Sequence, residues 1–101
     1  MTIDKKLEGD KLTIRLEGDL NTLSAPELES AVRAHLQDVN HIVIDMTALN
    51  YISSAGLRVL LVAYTDLNAR GGTLLIQNPN EEIREIFDVT SFSSFLTIEE
   101  T

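Results

Sequence analysis

The sequence predicts an α/β domain, a mixed β-sheet with helices packed mainly on one face. Three observations carry this expectation. Ile42-Val43-Ile44 and Thr73-Leu74-Leu75-Ile76 are continuous apolar runs that enclose a stretch of helical spacing. Strand, helix and strand within residues 42–76 form a βαβ unit, whose two strands run parallel. Earlier in the chain, Leu12, Ile14 and Leu16 alternate with Thr13, Arg15 and Glu17, the period of a half-buried strand.

The elements follow in order. Gly9-Asp10 is a turn signal, so residues 2–8 form the other arm of a hairpin. Gly18-Asp19-Leu20-Asn21-Thr22 has the composition of a loop. Ser24-Ala25-Pro26-Glu27 then reads as a capping box, with Pro26 in a first turn where its missing N–H costs nothing. Leu28, Ala31, Val32 and Leu36 make the apolar stripe of the helix that follows. The β-branched run at 42–44, closed by Asp45, fits a strand covered on both faces. From Ala55 to Ala69 the spacing is helical, with Leu57, Leu60, Leu61, Tyr64 and Leu67 on one side, and Gly71-Gly72 stops it. A third helix spans about Glu81 to Val89, capped by Asn80, with Ile83, Ile86 and Phe87 inward. Phe95-Leu96-Thr97-Ile98 is a short last strand.

Composition narrows the function. At 101 residues the chain is one small domain, 1–101, with one core. Sixteen acidic residues against eight basic give a net charge of −8. That field opposes direct binding to nucleic acid or to an anionic membrane surface. No apolar run approaches a membrane span, and MTIDKKLEGD has no apolar signal-peptide core. There is no cysteine, hence no disulfide or thiolate chemistry. These features point to a cytoplasmic protein.

Enzymatic readings find little support. The two histidines, His35 and His41, read as structural, one near a helix stripe and one opening a strand. No G-x-S-x-G elbow, G-x-G-x-x-G or Walker loop occurs, and no metal-ligand cluster. The expectation is no catalytic residue, no metal and no cofactor. Asp45 after a buried strand invites comparison with a phosphate-receiver aspartate, but no lysine occurs after Lys11. Asp45 is better read as bonding the amides of the turn that follows it.

The informative segment is Tyr51-Ile52-Ser53-Ser54-Ala55-Gly56-Leu57-Arg58. It puts two serines where a buried strand gives way to an amphipathic helix. Ser54, just ahead of the helix, has the position of an N-cap. The same place, at the carboxyl end of a parallel strand, is where open α/β sheets put their sites. A phosphate there adds about −1.5 to −2 charges, which the helix dipole tolerates and an apposed partner surface does not. Gly56 is open to two readings, tight helix–sheet packing or close approach by a partner. Arg58 projects outward beside the serines and is suited to pair with a carboxylate or phosphate.

From Leu12-Thr13-Ile14-Arg15-Leu16-Glu17-Gly18-Asp19-Leu20-Asn21-Thr22 through the last helix, the chain resembles the STAS domain, specifically the stand-alone bacterial anti-sigma factor antagonists. The likeness is strongest at Ile44-Asp45-Met46-Thr47 and Tyr51-Ile52-Ser53-Ser54-Ala55-Gly56-Leu57. Family members often read Asp-Ser-Ser-Gly or Asp-Ser-Thr-Gly at this point. Aligned on Gly56, the family's phosphorylated serine falls on Ser54, Ser53 stands where Asp is common, and Ala55 replaces a hydroxyl residue. Thr90-Ser91-Phe92 stands where Thr-Gly-Leu is common.

The resemblance implies a single STAS-type domain without enzymatic activity. Its unphosphorylated form binds an anti-sigma factor serine kinase with a histidine-kinase-like ATPase fold, which frees a sigma factor. The same partner phosphorylates Ser54, with Ser53 the alternate acceptor, and a metal-dependent serine phosphatase reverses it. Asp19, Asn21, Thr22, Ser53, Gly56, Leu57 and Arg58 are the implied contact surface. Related STAS modules also serve as scaffolds of signalling assemblies or accessory subunits of lipid transporters, and that role remains the alternative.

Overall fold

The computed structural model describes all 101 residues. Its five strands are β1 (Thr2–Glu8), β2 (Lys11–Leu20), β3 (His41–Ile52), β4 (Thr73–Gln77) and β5 (Thr97–Glu99). Its helices are α1 (Ala25–Arg33), α2 (Ser54–Ala69) and α3 (Glu81–Val89), with a 3-10 turn at Phe92–Ser94. The strands lie in the sheet in chain order, β1-β2-β3-β4-β5. The β1–β2 hairpin is antiparallel and every other pair is parallel, so the sheet is mixed as expected.

Alternation decides which face is covered. Leu12, Ile14 and Leu16 of β2, Ile42, Ile44 and Met46 of β3, and Leu74 and Ile76 of β4 are all buried. They join residues of all three helices, among them Leu28, Val32, Leu60, Leu67, Ile83 and Phe87, in one cluster of 24 buried residues. The opposite face carries Arg15, Glu17, Thr47 and Thr73, all exposed. The two-sided cover expected for residues 42–44 is therefore corrected. Val43 points to the open face and is shielded by the sheet, flanked by its register partners Thr13 and Leu75.

The strand that leads to the serines is longer than its sequence pattern foretells. It does not stop at Asp45 but runs on to Ile52. Against β2, its register shifts between Arg15/Glu17 and again between Gly18/Asp19, so β3 carries extra residues at two bulges. At the first, the Asp45 carboxylate accepts from the Thr47 amide (3.0 Å) and hydroxyl (2.6 Å). That is the local bonding expected of Asp45, inside a strand rather than after one. Asn80 caps α3 by accepting from the Ile83 amide at 2.8 Å. Its amide group also donates to the Leu49 and Asn50 carbonyls, tying α3 to the bulged end of β3.

Three details depart from the pattern, two in helices and one in the last strand. Helix α1 ends at Arg33, and Leu36 is buried from the turn beyond it. On α2 the inward stripe is Gly56, Val59, Leu60, Ala63 and Leu67, which leaves Leu61 42% exposed rather than inward. The last strand starts at Thr97, because Phe92 to Phe95 form a turn, the Phe95 ring lying tilted between Phe92 (5.0 Å) and Tyr64 (4.9 Å). Ser91 adopts φ 66°, a left-handed conformation that favours glycine, as the Thr-Gly-Leu pattern of the resembling family anticipates.

Candidate functional site

The far end of β2 and β3 builds the site. Leu20 pairs with Ile52, and the ladder extends one bond further, the Ser53 amide donating to the Leu20 carbonyl at 2.8 Å. This fixes where extended backbone ends and α2 begins. Ser53 is still extended (φ −98°, ψ 174°), and its hydroxyl accepts from the Gly56 amide at 3.4 Å. Ser53 is therefore the N-cap, and the assignment of that role to Ser54 is corrected. Ser54 is the first helical residue, exposed, and its hydroxyl has no hydrogen-bond partner within the chain. Asp caps as well as Ser does, so the Asp common at position 53 in the resembling family meets the same structural need.

The neighbouring loop is braced from within. The Asn21 side-chain oxygen accepts from the amides of Leu23 (3.0 Å) and Ser24 (3.1 Å). The Ser24 hydroxyl donates to the Asp19 carbonyl at 2.7 Å and accepts from the Asn21 amide at 2.8 Å. The capping box expected at Ser24 does not form, because Ser24 is already helical in backbone and its hydroxyl is spent on this turn. Asn21 thus acts as a turn-former, while Asp19 and Thr22 stand exposed around it.

The implied contact residues divide by depth. Asp19, Thr22, Ser54 and Arg58 are exposed, and Ser53 and Asn21 are half-buried. Leu57 is only 7% exposed and packs in the core. Gly56 is buried as well, and a Cβ there would come within 2.7 Å of Leu20 Cγ and 2.9 Å of Ile52 Cγ1. Of its two readings, close helix–sheet packing is the one the geometry bears out. Gly56 and Leu57 seat the serines from beneath and do not form the outer surface.

Two exposed apolar side chains escaped the sequence reading. Leu23 is 88% exposed at the tip of the braced turn, and Tyr51 is 46% exposed, paired in register with Asp19. Tyr51 lies two residues before Ser53, and Leu23 lies in the turn that follows β2; only the pairing of β2 with β3 brings both to this end of the sheet and marks them as contact candidates. His35 and His41 lie away from this end. His41, at the start of β3, has Nδ1 2.8 Å from the hydroxyl of Thr73, which opens β4, and His35 sits in the turn after α1. No group of three or more His, Cys, Asp or Glu residues is placed to hold a metal ion, and no helix is long and apolar enough to cross a membrane.

Comparison with known proteins gives the family and the fold. The chain is 33% identical over 99 residues to BtrV of Bordetella bronchiseptica, described as a candidate anti-sigma factor antagonist, covering 97% of this chain and 84% of that one. It is 22% identical over 98 residues to the anti-sigma-B factor antagonist of Bacillus subtilis, covering 97% and 90%. The solved structure of the Bacillus cell fate determinant SpoIIAA in its phosphorylated form superposes with a TM-score of 0.82 at 17% identity, covering 99% and 91%. The model of the STAS domain matches residues 2–101, and with that match and the likeness to BtrV the chain belongs to the STAS domain family.

Proposed function

We propose that the chain is an anti-sigma factor antagonist whose partner binding is switched by phosphorylation of Ser54. The observation that carries this reading is the division of labour between the two serines. Ser53 holds the helix start, and Ser54 presents an exposed hydroxyl with no internal duty. Relatives named as anti-sigma factor antagonists support the class of function. In this reading the unmodified chain binds an anti-sigma factor that is also a serine kinase, through Asp19, Thr22, Ser54 and Arg58 together with the exposed Leu23 and Tyr51. Phosphorylation releases the partner, and a serine phosphatase restores binding. Asn21, Ser53, Gly56 and Leu57 serve by holding that surface in place. The chain acts as a cytoplasmic regulator and contributes no catalytic group, metal or cofactor.

The physical basis is charge. A phosphate at the first helical position sits favourably in the helix dipole, so the fold accepts it. Across a docked interface the same charge costs several kcal/mol where it meets like charge, and each 1.4 kcal/mol is about tenfold in affinity. The test is to map phosphorylation by mass spectrometry in protein from native cells, and to titrate the co-purifying partner with unmodified, Ser54→Ala and Ser54→Asp chains. Ser54→Ala should bind as the unmodified chain does, and Ser54→Asp at least about tenfold more weakly. Equal affinity of all three, with no phosphate found on Ser54, would overturn the reading.

A further inference from the structure

Beside Ser54, α1 and α2 enclose an open groove of about 640 Å³. Its charged lining consists of Arg58 on α2 and Glu29 and Arg33 on α1. In a chain with twice as many acids as bases, this groove is locally cationic. Its two arginines differ in availability. Arg33 Nε is held at 2.8 Å by the Glu29 carboxylate. Arg58 has neither an ion pair nor a hydrogen bond, whereas Arg70 and Arg84 each have an acidic partner. Arg58 also stands one helical turn after Ser54, at i+4, where an anion at i and a cation at i+4 meet on one helix face.

We propose that Arg58 is the receptor, within the same chain, for the phosphoryl group of Ser54: the modified serine turns its phosphate along the groove onto the Arg58 guanidinium. The inference rests on the Ser54 reading and adds what the phosphate does after transfer. A guanidinium presents planar paired donors to phosphate oxygens, a match that lysine lacks. Before modification the lining carries one uncompensated positive charge, Arg58. Afterwards the phosphate outweighs it, so the groove reverses sign and its free arginine is occupied. Release of a partner then has two causes, a new negative charge and the loss of a cation that the partner had been able to use.

The test places phosphoserine at position 54 by genetic encoding, which needs no kinase. Its second ionisation is followed by phosphorus NMR as a function of pH. A free phosphoserine titrates at about pH 6. The otherwise unaltered chain should titrate lower, and Arg58→Gln should raise the midpoint by roughly half a unit or more. Arg33→Gln should move it less, since Glu29 already holds that side chain. Arg15→Gln, which removes the same charge from the open sheet face, should leave it in place. A midpoint unchanged by Arg58→Gln, or moved equally by Arg15→Gln, overturns the proposal. Either result is independent of partner affinity, so a failed Ser54 switch and a failed phosphate receptor are told apart.

Discussion

Arg58 and Arg70 stand at opposite ends of α2, and their surroundings differ completely. Arg70 is saturated. It donates to the Leu36 carbonyl, to the Val39 carbonyl at 3.3 Å and to the Asn40 side chain at 3.4 Å, and it pairs with Asp66 at 3.3 Å. Asn40 in turn donates from its backbone to the Asp10 carboxylate at 3.0 Å, so one network joins the β1–β2 turn, the segment after α1 and the end of α2. Arg58 has no such partners. One end of the helix has its polar groups committed to the fold, and the other keeps a charge and a hydroxyl uncommitted. Binding surfaces need uncommitted groups, so the contrast separates the end that braces the fold from the end proposed to bind a partner.

The glycines sharpen the contrast. Gly72 follows α2 at the Arg70 end, where a Cβ would come within 2.3 Å of the Asn40 carbonyl oxygen. Backbone cannot step aside as a side chain can. Gly72→Ala should therefore have the largest effect, a loss of about 3 kcal/mol read from denaturant unfolding. A loss below about 1 kcal/mol would show that this end is not rigid. Arg70→Ala should come next, costing about 1–2 kcal/mol because it strips donors from the carbonyls of Leu36 and Val39 at a partly exposed site. Partner affinity should be unchanged in folded Arg70→Ala. Arg58→Gln should have the smallest effect on stability, within about 0.5 kcal/mol. A cost as large as that of Arg70→Ala would erase the distinction between the two ends.

Much of this was legible because its signals are local. The hairpin around Gly9-Asp10, the βαβ unit, the Asn80 cap and the stop at Gly71-Gly72 each rest on a few adjacent residues. At that stop, the Gly72 amide donates to the Leu67 carbonyl at 2.7 Å and Gly71 has φ 77°. What escaped depends on pairing. The two bulges break the alternation of Thr47 to Asn50, so β3 looks finished at Asp45. Ser53 and Ser54 satisfy the same capping rule, and the choice is made by the bond from the Ser53 amide to the Leu20 carbonyl, which keeps Ser53 extended and leaves its hydroxyl to accept from the Gly56 amide. Ser24 fits a capping box in sequence, but a turn formed by residues before it claims its hydroxyl. The exposure of Leu23 has no sequence signal, since a leucine between two polar segments reads equally well as a core residue.

The one-residue offset between cap and free hydroxyl also bears on how such a chain can change over generations. Position 53 is constrained by helix initiation, and drift there is confined to residues that can cap, chiefly Ser, Thr, Asp and Asn. Position 54 carries no such constraint. A lineage can lose the serine there, or replace it with a residue that no kinase modifies, and inherit an intact domain. Architecture at position 53 and the proposed regulation at position 54 are encoded at adjacent codons yet can evolve separately.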